Sequence, residues 1–173
     1  MAEEAGEKNL KIIGVAGQGV KLFSHILAEI LANKGYEISL NLDYDSAVRA
    51  GEISADLIYS KKDIVNPIID EADLLVRLGE TKDHFKAKEM IVNSIVEKIG
   101  DTCSGKVSKV AFTDTAQTKF ESKRFVNMLA LGRMLKYFSI DPKTLSIKDF
   151  LPSKFVEKNI EAINLGYELS DDK

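Results

Sequence analysis

The apolar positions of this chain fall into two alternating rhythms. Residues 10–15, LKIIGV, form a short β-branched run that ends in glycine, the pattern of a buried strand. Val20, Phe23, Leu27, Ile30, Leu31 and Lys34 then recur at helical spacing, the first five as an apolar stripe. An amphipathic helix is predicted over 20–34, with Gly35 where a C-cap glycine belongs. Residues 36–42, YEISLNL, alternate as a strand does, and 43–51 is predicted as a loop. A second alternating strand covers 52–60, with Ile53, Ala55, Leu57 and Tyr59 on one face.

Further along, 73–79 is predicted as a core strand, 80–88 as a polar helix, 90–96 as a strand, 100–105 as a turn and 107–113 as another strand. Phe125, Met128, Leu129, Gly132, Leu135 and Phe138 share one helical face, so 115–138 is predicted helical with room for a break. Asp141-Pro142 opens a turn. Pro152-Ser153 opens a last helix with Ser153 as its N-cap and Val156, Ile160, Ile163 and Tyr167 as its buried stripe. Strands interleaved with helices predict a three-layer α/β/α sandwich with a helical C-terminus. The loop between the 36–42 and 52–60 strands is too short for a helical crossover. The sheet is therefore expected to be mixed, though mostly parallel.

A chain of 173 residues fits one domain, 1–173, with no repeat and no linker. The net charge of −3 argues against a nucleic-acid partner, which asks for a basic face. The polar start MAEEAGEK carries no apolar signal core, and no apolar run approaches the ~20 residues that span a bilayer, so a cytoplasmic protein without membrane contact is expected. Cys103 is the one cysteine, and a single thiol builds neither a disulfide, a zinc site nor an iron–sulfur cluster.

The segment Gly14-Val15-Ala16-Gly17-Gln18-Gly19 joins strand to helix, a geometry that suits an anion. A dinucleotide fingerprint would need glycine where Ala16 stands, with Asp43 as the ribose-binding acid. A P-loop would need lysine directly after Gly19, where Val20 stands. A tight turn that binds nothing is the third reading. Arg49 lies beside Gly51 in the 43–51 loop, and its planar fork suits phosphate or carboxylate, or else an interface or surface salt bridge. Asn127 interrupts an apolar face and is expected to bond a backbone loop. Arg77, inside an apolar strand, is expected at a subunit interface or in solvent. Asp43 and Asp45 suit a turn, and His25 and His84 have no second ligand at metal spacing.

Three segments together resemble the gamma subunit of the 2-oxoacid:ferredoxin oxidoreductases. The first is I-I-G-V-A-G-Q-G-V at 12–20 with L-A-E at 27–29. The second is Y-D-S-A-V-R-A-G at 44–51, followed by a strand running to Ser60. The third is R-F-V-N-M-L-A-L-G at 124–132 with V-E-K-N-I-E-A-I-N-L-G-Y-E at 156–168. D-L-L-V at 73–76 also fits. Ala16, Asp45, Ser46, Ala47 and Ala50 depart from the family pattern. The resemblance spans roughly 10–169. It implies a share in oxidative decarboxylation, in which a 2-oxoacid, coenzyme A and oxidised ferredoxin give acyl-CoA, carbon dioxide and reduced ferredoxin. It also implies that thiamine diphosphate, magnesium and iron–sulfur clusters belong to partners, namely thiamine-diphosphate-binding alpha and beta subunits and a ferredoxin-like subunit. This chain would then be a non-catalytic scaffold. Gly14, Gly17, Gln18, Gly19, Arg49 and Gly51 would be its contacts with coenzyme A or a partner. A free-standing dinucleotide-binding protein and a ligand-free assembly protein are the alternatives.

Overall fold

The computed structural model describes residues 6–44, 51–82 and 84–172. Its first unit is β1 (Lys8–Val15), the glycine-rich turn, and α1 (Val20–Asn33). Gly35 takes φ 80°, the left-handed conformation that lets the chain leave the helix and enter β2 (Glu37–Tyr44). β3 (Glu52–Ser60) pairs antiparallel with β2 on one side and with β1 on the other. β4 (Ala72–Arg77), β5 (Lys86–Asn93), β6 (Thr102–Cys103) and β7 (Val107–Val110) follow. The sheet runs β2-β3-β1-β4-β5-β6, and β7 also pairs with β5, further along the same edge as β6. The pairings from β1 through β4 and β5 to β6 and β7 are parallel, so the sheet is mixed and mostly parallel, as the short hairpin connection requires.

The C-terminal part is α2 (Phe112–Phe120), α3 (Val126–Tyr137) and α4 (Val156–Glu168), with 3-10 turns at Lys123–Phe125, Pro142–Thr144 and Ile147–Phe150. The expected break in the 115–138 helix falls at Glu121, whose φ is 53°. The Ser122 hydroxyl then accepts from the Arg124 N–H and restarts the chain.

The buried side chains form two clusters, one on each face of the sheet. The larger gathers Leu10, Ile12, Leu57 and Val76 from the strands and the buried apolar residues of all four α-helices. The smaller, around Ile13, Ile58, Leu75, Met90 and Val92, is closed by Ile64, Ile69, Val96 and Ile99 from the stretches 61–71 and 94–101. Helices thus cover one face. Among the described residues irregular chain covers the other, where a second helical layer was expected.

The missing helix at 80–88 has a simple physical cause. β4 and β5 are parallel and Ala72 pairs with Ala87, so the chain must run back from Arg77 to that level. That distance is about 16 Å at strand rise. A helix over 78–85 would span only ~12 Å. Among its described residues the connection is non-helical, and β5 begins at Lys86 rather than at residue 90. The 100–105 turn likewise contains the short β6.

α4 also departs from expectation. Its N-cap is Phe155, at φ 59°, rather than Ser153. Its buried residues are Asn159, Ala162, Ile163 and Gly166, while Val156, Ile160 and Tyr167 are only partly covered. The cause is the closeness of α3 and α4. A methyl added at Gly132 would lie 2.0 Å from the Ile163 carbonyl oxygen, and one at Gly166 would lie 2.0 Å from that of Leu129. Small residues, not large apolar ones, set that interface.

Candidate functional site at the carboxyl ends of the strands

β1, β4, β5 and β7 all end on the side of the sheet where the glycine-rich turn lies, and β3 begins there. The turn is built from within. The side chain of Gln18 folds back into it. Its Oε1 accepts from the Val15 N–H at 2.9 Å and its Nε2 donates to the Leu78 carbonyl at 3.0 Å. Gly17 and Gly19 take φ 89° and 72°, which an L side chain rarely adopts. Gly14 lies beneath, where a Cβ would stand 2.8 Å from the Gln18 Oε1. The Ala16 N–H donates to the Gly51 carbonyl at 3.1 Å, which ties the turn to the start of β3.

The same floor continues across the sheet. Asn93, fully buried at the end of β5, donates to the Leu78 carbonyl at 2.9 Å and to the Thr113 hydroxyl at 2.8 Å, and accepts from the Thr113 N–H at 3.2 Å. Asn93 and Thr113 had drawn no attention in the sequence. An amide within the hydrophobic run 90–96 was the available signal.

Of the site residues expected from sequence, Gly14, Gly17, Gln18, Gly19 and Gly51 thus come together. Arg49 lies outside the described residues, as do Asp45, Ser46, Ala47 and Ala50. Tyr44 and Glu52, which border that stretch, line a cleft of about 270 Å³ on the face away from α1, with Lys11, Ser54, Asp43, His84 and Phe85. Lys11 pairs with Asp56 at 2.6 Å and its Nζ lies 4.6 Å from the Phe85 ring centroid.

Two expectations need correcting. Arg77 meets neither solvent nor an open surface. It is 2% exposed, and its Nε and Nη2 reach the two carboxylate oxygens of Asp101 at 2.5 and 2.7 Å. Nη1 reaches the Thr81 hydroxyl at 2.5 Å. Asp101 also accepts from the Phe85 N–H at 2.8 Å, so this pair pins the non-helical crossover. Among the described residues, Asn127 bonds no neighbouring backbone loop. Its Oδ1 accepts from the N–H of Met128 at 2.9 Å, and its amide group lies against Gly19.

The dinucleotide arrangement is not formed. In that fold the acid-bearing strand neighbours β1. Here β3 intervenes, so Asp43 stands two strand spacings from β1, about 10 Å. Among the described residues, no group of three or more His, Cys, Asp or Glu could hold a metal ion, and no helix is long and apolar enough to cross a membrane.

The family model for pyruvate ferredoxin/flavodoxin oxidoreductase matches residues 9–169. This chain belongs to that family. It is similar to the 2-oxoglutarate synthase subunit KorC of Archaeoglobus fulgidus, 26% identical over 166 residues that cover 94% of this chain and 88% of the relative. Its fold matches the gamma subunit of a keto/oxoacid ferredoxin oxidoreductase from Geobacter sulfurreducens, with a TM-score of 0.69 at 22% identity over 95% of this chain and 96% of that one. It also matches 2-oxoglutarate:ferredoxin oxidoreductase from Magnetococcus marinus, a structure with 2-oxoglutarate, coenzyme A and succinyl-CoA bound. There the TM-score is 0.74 at 20% identity, over 95% of this chain and 31% of that longer one.

Proposed function

We propose that this chain is the non-catalytic gamma subunit of a multi-subunit 2-oxoacid:ferredoxin oxidoreductase, a single gamma-type domain acting in the cytoplasm. The observation that carries the proposal is the family match over residues 9–169, joined to relatives that are themselves subunits of such enzymes. The residues of the chain fit a supporting share in the reaction. An iron–sulfur cluster asks for about four thiolates, and the sequence holds one cysteine, Cys103. That thiol faces the carbonyls of Lys88 and Lys106 at 3.5 and 3.6 Å. Clusters, thiamine diphosphate and magnesium then belong to alpha and beta subunits and a ferredoxin-like subunit.

Coenzyme A is the ligand proposed to meet this chain, at the turn formed by Gly14, Gly17, Gln18 and Gly19 and at Arg49 and Gly51. Support comes from the joining of the turn to Gly51 through Ala16, which brings the border of the Arg49 stretch to the helix start. Ligands of α/β sheets collect at such strand ends. Arginine offers a bidentate fork to phosphate or carboxylate. In the assembled enzyme, Arg49→Ala should raise the Michaelis constant for coenzyme A at least about tenfold or loosen assembly. Steady-state assays with saturating 2-oxoacid and varied coenzyme A, with size exclusion of the complex, test this. A change below about twofold in both removes Arg49 from the site.

A further inference from the structure

β7 lies outermost beside β5, and among the described residues no strand pairs with its far side. Its bonds to β5 fix which backbone groups face outward. The Met90 N–H donates to the Lys106 carbonyl and the Ser94 N–H to the Val110 carbonyl, both at 2.9 Å. Backbone groups alternate sides along a strand, so the N–H and C=O of Val107 and Lys109 point away from the sheet. Such an edge is a template for another extended segment. The chain's own last residues use it in part. The Asp172 N–H donates to the Lys109 carbonyl at 2.7 Å, and the Asp172 carboxylate accepts from the Ser94 hydroxyl.

A cationic patch stands beside that edge. The Asp171 carboxylate accepts from the Ser108 hydroxyl at 3.0 Å, from Lys106 at 2.8 Å and from Nη2 of Arg133 at 2.5 Å. Arg133 and Lys136 also reach the Leu169 carbonyl, at 3.4 and 3.5 Å. The tail uses these donors incompletely. Asp171 meets the Arg133 fork at one nitrogen, and the Arg133 Nε is buried with no hydrogen-bond partner among the described residues. A carboxylate that is not tethered to the end of α4 can approach the fork side-on and serve Nε and Nη2 together. A cavity of about 130 Å³ adjoins the patch, lined by Lys106, Ser108, Arg133 and Lys136 with Glu89 and Tyr137.

We propose that the outer edge of β7, with Lys106, Ser108, Arg133 and Lys136, is a docking edge for an extended acidic segment of a partner subunit, and that the tail 169–172 holds the edge until that segment arrives. That there are partner subunits rests on the proposed function. The edge and its charge define the occupant. Backbone groups of an extended chain pair with Val107 and Lys109, and its carboxylates meet the cations. The Val107 side chain, 44% exposed, adds an apolar contact. A tethered tail competes from an effective concentration on the order of millimolar. It therefore shields the edge from stray strands, yet gives way to a segment that pairs with more of β7.

Hydrogen exchange at neutral pH, read by mass spectrometry, compares the full chain alone with the chain in its complex. Alone, the tail 169–172 should be protected. On assembly that protection should fall, while protection at Val107 and Lys109 should rise, each by at least about tenfold in exchange rate. Asp171→Asn combined with Asp172→Asn removes the charge of the tail. This double variant should outcompete the labelled parent for limiting partner subunits by about fivefold, the worth of about one exposed ion pair. Protection that stays on the tail in the complex, or fails to appear at Val107 and Lys109, overturns the proposal. So does a double variant that assembles no better than the parent. A chain that joins no complex defeats the subunit reading and this proposal with it. A complex in which the tail stays docked defeats this proposal alone.

Discussion

Gln18 and Asn93 donate to the same acceptor, the Leu78 carbonyl, at 3.0 and 2.9 Å. One amide comes from the glycine-rich turn and the other from the end of β5. The carbonyl between them belongs to the residue that follows β4. Three strand ends are thereby locked together beneath the candidate site, and each amide also serves a second group, Val15 for Gln18 and Thr113 for Asn93.

Removing either amide should leave buried groups without partners, at about 1–3 kcal/mol for each such group. Asn93→Leu is expected to be the more harmful, because Asn93 is fully buried and also satisfies the Thr113 N–H. Gln18→Leu should loosen the turn itself. Because the two share one acceptor, the double variant should depart from additivity by about 0.5 kcal/mol or more. Urea unfolding of the two single variants and the double variant measures this, and strict additivity would show that Leu78 does not couple them.

The Arg77–Asp101 pair predicts an asymmetry. Its side chains are 3% and 0% exposed, so loss of one partner leaves a buried charge alone. Asp101→Asn or Arg77→Met should cost roughly 3–5 kcal/mol, whereas replacing both with apolar residues of similar volume should cost much less. The same unfolding assay reads both outcomes. A single variant within about 1 kcal/mol of the parent would mean the pair is solvated in solution.

Gly132 and Gly166 should tolerate no side chain. Alanine at either position meets backbone at 2.0 Å, which no rotamer change relieves. Overpacking typically costs about 1–3 kcal/mol, and contact with backbone belongs at the upper end. Thermal unfolding of Gly132→Ala and Gly166→Ala should show a clear loss, with α4 as the element displaced. A melting temperature equal to that of the parent would mean α3 and α4 are not so close.

The C-terminal tail predicts a pH effect. Lys106 reaches Asp171 at 2.8 Å, and its hydrogen bond lowers the Asp171 carboxyl below the ordinary range. Partial burial works against this, while the Ser108 hydroxyl and the Arg133 charge add to it. A depressed carboxyl gives stabilisation that is complete above its unfolded value of about 3.9 and is lost as pH falls through the lower folded value. The Asp172 N–H, which donates to the Lys109 carbonyl at 2.7 Å, reports on tail docking. Its amide protection, taken relative to the intrinsic exchange rate at each pH, should be high at neutral pH and fall below about pH 4. Exchange that is fast at neutral pH would show an undocked tail.

Much of this architecture was legible in the residues, and the rest was hidden for definable reasons. The β1–α1 unit, the β2–β3 hairpin and the break near Glu121 follow from local periodicity and glycine placement, which sequence displays directly. The false helix at 80–88 arose because a polar stretch says nothing of the register that Ala72 and Ala87 impose on it. The buried face of α4 was misjudged because Gly166 and Ala162 carry no hydrophobic signal, although both are buried and Gly166 lies against the Leu129 backbone. Arg77 was misplaced because its partner Asp101 lies 24 residues away in a connection that looks like an ordinary turn. The approach of Asn127 to Gly19 joins two distant segments, and nothing in either announces the other.

The central claim is that this chain works as a supporting subunit. The most direct test is purification of the tagged chain from its native host, followed by assay of 2-oxoacid- and coenzyme A-dependent ferredoxin reduction. The chain should co-purify in fixed ratio with thiamine-diphosphate-binding and iron–sulfur subunits. The complex should be active, and the chain stripped from its partners should be colourless and inactive. A chain that elutes alone, or a complex whose activity is unchanged when this chain is removed, would contradict the account.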